Sequence, residues 1–484
     1  MLSLLIFLPI AGAASLFLMP RDLEKNAKYV AALFAAANLA LSLAMYVGFD
    51  SVDSALQYTE RVEWIDTASF TTQYFVGVDG LSATMMLLTG FLFTVAALIS
   101  WNIELRPREY FAWLLVLETA VMGVFAAQDL ILFFLFWELE LVPMFLLISI
   151  WGTGRKEYSA MKFVLYTLSG SALMLVGFLV IGFASGTFDM ELLARGEVAD
   201  TAISLNVVFF LILAAFAIKL PVIPLHTWLP DAHTDAPTAV SVILAGVLLK
   251  MGGYGLIRIL VGILPAQFDK YDVYLAVLAA ASVVYGAVLT MRQTDLKRLI
   301  AYSSVSHMGY VLLGVAALGE VGLTGASLQM FTHGTITALL FVMVGLVYDR
   351  AHTRQISDLS GLAHIMPIAA TVFVIAGLAS LGLPTMSGFV AELLVFLGSA
   401  DRFEIPTAFA VGGILLSAGY ILWTVQRVFF GPRNPRWDHL EDTTHWWEQV
   451  SMAALVGVII GVGVYPATIV DILESGVRRT LGFG

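Results

Sequence analysis

The chain has 484 residues, 59% hydrophobic and 13% charged, with a mean hydropathy of +0.88. Soluble domains carry about 25% charged residues, so this composition excludes a water-soluble protein. The chain has no cysteine, which excludes disulfides, thiolate nucleophiles and cysteine-ligated iron–sulfur clusters within it.

Runs near 20 apolar residues predict an all-α polytopic membrane protein with about fourteen transmembrane helices, centred near residues 10, 38, 88, 118, 140, 172, 212, 247, 281, 308, 335, 375, 418 and 460. The first run, LSLLIFLPIAGAASLFLM, lacks a basic n-region and is followed by further membrane, so it reads as the first span and not as a secretory signal. Numbering the inter-span loops in order, odd loops hold fifteen of the 25 Lys and Arg, Lys297 among them, and even loops with the C-terminus hold six. The positive-inside rule then places odd loops in the cytoplasm and the N-terminus outside a cell inner membrane. The formal net charge of −11 reads as solvated acidic loops around Asp50 to Asp66 and Asp189 to Asp200. No basic patch with interleaved aromatics points to nucleic acid.

The fourth span carries Glu118, another acidic candidate. The fifth contains FWELELVP, which places Glu138 and Glu140 in helix-length apolar chain, where a charge costs kilocalories. Two residues are about 200° apart around a helix, so the two carboxylates cannot face one cavity. One of the two reads as a packing or helix-end carboxylate, and the sequence assigns Glu140 no role of its own. The seventh span, FAIKLPVIPLHTWLP, combines Lys219 with a Leu220-Pro221 break and His226. The eighth, LLKMGGYGLIR, carries Lys250 beside three glycines that leave room for ordered water. His307 falls in the tenth span and His333 in the eleventh. The twelfth, GLASLGLPTMSGFVAE, has a second break at Leu383-Pro384 followed by Glu392.

The two breaks lie five spans apart, and a five-helix unit repeated after an odd number of crossings must be inverted. The predicted organisation is residues 1–105 as three N-terminal helices, 106–262 as a first five-helix repeat, 270–432 as its inverted copy and 445–484 as a C-terminal helix. Broken helices leave backbone groups that need water or polar side chains, which favours a hydrated cavity at each break. No H-x-x-x-H or H-E-x-x-H spacing supports a metal site. The buried series Glu138, Lys219, Lys250, His307, His333 and Glu392, with His226 beside the first break, reads instead as a proton relay. A Glu138–Lys219 pair at about 6 Å and an effective dielectric of about 20 attracts by roughly 3 kcal/mol, so small displacements would load or release a proton. Two other classes remain: a haem-bearing membrane cytochrome using His307 and His333, and a scaffold whose ionic residues are structural.

The stretches WLPDAHTDAPTAVSVILAGVLLKMGGYGLIR (228–258) and RQTDLKRLIAYSSVSHMGY (292–310) resemble signature segments of the antiporter-like proton-pumping subunits of respiratory complex I and of Mrp-type sodium/proton antiporters. The resemblance extends from about residue 75 to 430. It implies that Glu138, Lys219 and Lys250 are the helix-five glutamate, helix-seven lysine and central lysine of that family. Glu392 matches the glutamate typical of M-type members, where L- and N-type members and the Mrp relatives carry lysine. The resemblance further implies proton translocation driven by quinone reduction in other subunits. Flavin, iron–sulfur clusters and quinone then belong to partners, this chain holds no cofactor of its own, and L- and N-type subunits are its neighbours. NADH or ferredoxin remain open as donor. An Mrp-type sodium/proton antiporter subunit or a membrane hydrogenase subunit is the alternative.

Overall fold

A computed structural model describes residues 1–53, 55–67, 71–198 and 201–482, so Asp200 of the expected acidic loops lies outside the described residues. Among these, eleven helices are long and apolar enough to cross a membrane, because a helix satisfies its own backbone groups where no water can. Thr238–Val261 and Glu320–Ala351 are buried along their length and Leu296–Ala316 nearly so. These three form the centre. Arg21–Val47, Glu404–Val428 and Trp446–Val464 form the rim and turn apolar side chains such as Leu33, Leu415 and Val464 outward. Four shorter apolar helices accompany them: Leu2–Leu18, Leu205–Lys219, Pro367–Ser380 and Ser387–Ala400.

Both Leu-Pro pairs interrupt helical geometry. Leu205–Lys219 gives way to turns and resumes as Trp228–Asp235, and Pro367–Ser380 is separated from Ser387–Ala400 by a segment containing Pro384. The sequence did not predict a third interruption, at Glu140, between Leu130–Leu139 and Leu141–Trp151. Pro143 has no N–H for the Leu139 carbonyl four residues back, so the ladder opens there. Around Lys250 the helix widens twice, with π-helical turns at Leu244–Leu248 and Leu256–Val261. Such turns concentrate at functional sites.

Two further elements depart from the all-helical expectation. Strand β1 (Gln57–Asp66) pairs antiparallel with β2 (Thr71–Val78). A search for long apolar runs passes over such a segment: β1 is polar and exposed along most of its length, and only β2 buries residues, among them Phe75, Val76 and Val78. The hairpin is fastened to the helices. Thr72 donates its hydroxyl to Asp129 at 2.9 Å, the Gln73 amide donates to the same carboxylate at 3.1 Å, and Asp129 caps the Leu130–Leu139 helix through the Ile131 and Leu132 amides. The expected C-terminal helix is two: Trp446–Val464 and, after Pro466, Ala467–Thr480.

Candidate functional site

Lys219 is the last residue of its helix, where the Pro221 break ends regular hydrogen bonding. Its ammonium donates to Glu140 Oε1, and the pair is essentially fully buried, 1% and 0% exposed. This corrects the expected pairing with Glu138. The Pro143-induced break puts Glu140 at the bend, on the side facing Lys219, and Glu138, two residues back, lies on another side of the helix. Glu138 is half-buried beside the Ser171 hydroxyl, within the field of Lys219, and its Oε1 is buried with no hydrogen-bond partner. The rings of Trp137 and Phe163 stand 5.5 and 5.4 Å from the lysine nitrogen and add cation–π attraction.

A second cluster joins the two halves of the chain. Lys250 Nζ lies 2.8 Å from His333 Nδ1 and donates to the Ala245 carbonyl. The His333 and His307 rings are 5.5 Å apart between centroids. His307 Nδ1 is 3.5 Å from Glu392 Oε1, and its Nε2 is 3.3 Å from the Ser380 hydroxyl. A void of about 10 Å³, roughly the room of one water, is lined by His307, His333, Ser380 and Glu392 among others. Glycines allow this convergence. A Cβ on Gly334 would stand 2.7 Å from the Gly246 carbonyl, so only bare backbone lets the Lys250 and His333 helices approach this closely. At the second break, Gly382 adopts φ +73°, and a side chain there would meet Glu392 Oε2 at 2.5 Å. The helices bearing Lys219 and Lys250 also touch, Gly252 packing against the Leu220 amide and Phe216 carbonyl.

His226, expected in the series, stands apart from both clusters against Tyr285 and Tyr302, with ring centroids 5.9 and 6.4 Å away. Glu118 accepts a hydrogen bond from buried Asn38 at 2.7 Å and likewise lies elsewhere. Lys297, assigned from sequence to a cytoplasmic loop, is buried at the start of Leu296–Ala316 and donates to the Ala236 carbonyl. Arg258 is buried and paired with Asp79. Burial alone would raise the Asp79 carboxyl, but Arg258 and the Ser82 amide hold it below the usual carboxylate range.

Sequence reasoning also passed over His233, which is fully buried with both ring nitrogens unpartnered and its ring stacked on Phe341 at 4.7 Å. Its only sequence signal was its place after the first break. For Glu140 the signal was present in Pro143, three residues on. Among the described residues no group of three or more His, Asp or Glu side chains is placed to hold a metal ion. The arrangement offers two buried basic–acidic clusters, one wholly in the first half and one spanning both, built from groups that exchange protons.

Residues 127–417 match the family described as NADH:quinone oxidoreductase/Mrp antiporter, TM. The chain is 44% identical over 477 residues to NAD(P)H-quinone oxidoreductase chain 4 1 of Synechococcus sp. (strain JA-3-3Ab), covering 96% of this chain and 90% of that protein. It is 40% identical over 495 residues to NADH-quinone oxidoreductase subunit M of Rhodobacter capsulatus, covering 99% and 96%. A chain of respiratory complex I from Thermus thermophilus with bound NADH superposes with a TM-score of 0.89 at 30% identity over the full length of both. A chain of the Mrp complex from Dietzia sp. DQ12-45-1b shares the fold, with a TM-score of 0.88 at 22% identity, covering 99% of this chain and 97% of that one.

Proposed function

Because the chain belongs to the NADH:quinone oxidoreductase/Mrp antiporter family, we propose that it carries protons across the membrane through its two buried ionic clusters. It is an antiporter-like membrane-arm subunit of a complex I-type quinone oxidoreductase, of the subunit M or chain 4 kind. The observation that carries the relay is the series Lys250, His333, His307 and Glu392, which crosses from the first half of the chain to the second with contacts of 2.8 and 3.5 Å at its ends and imidazole rings 5.5 Å apart between centroids in the middle. Lys219, with the carboxylates of Glu138 and Glu140, forms the charged element that biases Lys250 across the Gly252–Leu220 contact. The void beside His307 suits a single water that would bridge the imidazoles and Glu392.

In this reading the eleven long helices, Leu2–Leu18 and two composite spans over 205–235 and 367–400 make fourteen crossings. Residues 106–262 and 270–432 form the inverted repeats, flanked by 1–105 and 445–484, and the N-terminus lies outside an inner membrane. Flavin, iron–sulfur clusters and quinone reside in partner subunits; the cysteine-free chain offers no thiolate to a cluster. L- and N-type antiporter-like subunits are its neighbours in the membrane arm.

The test is proton pumping coupled to quinone reduction in membrane vesicles containing the whole assembly, comparing the native chain with E138Q and K250M. Fewer protons per quinone reduced, at normal assembly, is the expected result. Native ratios in both variants would make the ionic residues structural, and sodium-dependent exchange without quinone reduction would transfer the chain to the Mrp-type reading.

A further inference from the structure

Lys219 acts on two carboxylates, the buried Glu140 and the half-buried Glu138, but engages one. Glu140 takes the ammonium on Oε1 and keeps Oε2 unpartnered, and Glu138 has a buried oxygen with no partner although it lies within the field of the same lysine. The two carboxylates also act on each other. A buried carboxylate without a counter-charge is costly, and two such groups sharing one ammonium compete for it. The competition occurs at a mechanical weak point, because Glu140 occupies the break that Pro143 opens between Leu130–Leu139 and Leu141–Trp151. Opening or closing that bend turns Glu140 relative to Glu138, while the rings of Trp137 and Phe163 give the ammonium an attractive surface along the way.

We infer that Lys219 has two alternative seats, and that Glu140 is the positioning residue that holds it in the one observed here. In the other seat the ammonium pairs with Glu138. No covalent bond is made or broken in the exchange. One positive charge moves between two carboxylates, and the field at Lys250 changes with it, because the two lysine-bearing helices touch at Gly252 and Leu220. This inference rests on the relay reading above and deepens it: the bend at Pro143 becomes the moving part that selects the partner of Lys219.

The experiment compares E140Q, E140D, E138Q and K250M in the complete assembly, reading protons pumped per quinone reduced in vesicles and the position of Lys219 Nζ by cryo-electron microscopy. In E140Q the lysine is expected within about 3 Å of Glu138, with the proton ratio below native. E140D, which keeps the charge but withdraws it by one carbon, is expected to shift the lysine part of the way and to lower the ratio less. Lys219 remaining against residue 140 in E140Q with a native proton ratio would overturn the two-seat inference. Should E140Q fail to assemble, a native ratio and an unmoved lysine in E140D overturn it equally. E138Q and K250M separate the two levels. Native ratios in both defeat the relay reading itself, whereas lowered ratios in both beside a native ratio and an unmoved lysine in E140Q defeat the second seat alone.

Discussion

Substituting Gly334 by alanine tests whether the Lys250–His333 contact depends on backbone-to-backbone packing. The added Cβ would lie 2.7 Å from the Gly246 carbonyl, 0.7 Å inside the 3.4 Å at which ordinary contact begins. Leu88, 2.9 Å from the same point, can rotate away; the carbonyl cannot. If the helices part by that 0.7 Å, Lys250 Nζ to His333 Nδ1 lengthens from 2.8 to 3.5 Å, beyond the roughly 3.2 Å reach of a good N–H hydrogen bond. Overpacking costs about 1–3 kcal/mol of stability. Losing a hydrogen bond to a charged group costs about 1.5–3 kcal/mol, which on a rate-limiting transfer slows it about 10- to 150-fold. The assay is protons pumped per quinone reduced in vesicles, with G412A as the control, because nothing lies within 4 Å of a Cβ at Gly412. A fully assembled G334A complex that pumps like the native one would refute the claim that this close approach sustains the relay.

Other substitutions separate structural from functional charge. E392Q, which removes the acid 3.5 Å from His307 Nδ1, is expected to lower the proton ratio in the same vesicle assay without displacing the Lys219–Glu140 pair. D79N strands the buried Arg258 guanidinium and weakens the cap on Gly80–Ile99; a loss of about 3–5 kcal/mol is expected as an earlier thermal transition of the purified assembly. Because the Asp79 carboxyl is held below its ordinary 3.8, its contribution is complete above that pH and disappears as pH falls through the lower folded-state value. The gap between native and D79N melting temperatures should therefore stay constant from about pH 8 to 5 and close only in acid. E60Q loses the partly exposed pair with the N-terminal amine, 2.5 Å away, and should shift the transition by no more than about 1 kcal/mol.

Much of the membrane architecture was legible because apolar length and proline have direct physical meaning in lipid. The interruptions at Leu220-Pro221 and Leu383-Pro384 are visible in the sequence as prolines inside apolar runs, and buried lysines announce themselves by their cost. Partner choice was not legible. Spacing alone set Glu138 and Glu140 about 200° apart, but which one meets Lys219 depends on a bend that the same stretch encodes through Pro143. The Lys250–His333 contact likewise required two glycines, 88 positions apart (334 − 246), to meet. The β-hairpin escaped because its signal is alternation over eight to ten residues, weak beside runs of twenty. Lys297 was misread because loop and helix start are adjacent in sequence, and only packing reveals that its side chain turns inward.

The hairpin fixes one side of the bend at Glu140. Thr72 and Gln73 hold Asp129, the Gln128 amide donates to the Phe75 carbonyl, and the Leu130 amide donates to the Phe188 carbonyl, so the chain just before Leu130–Leu139 is tied on two sides. Leu141–Trp151 is also held at its far end, where the Trp151 indole reaches the Leu105 carbonyl, Lys156 the Ile150 carbonyl and the Thr153 amide the Asp235 carbonyl. A rod clamped at both ends and jointed in the middle gives only at the joint. Flexing at Glu140 would therefore stay local, so the displacement falls on the carboxylate that meets Lys219.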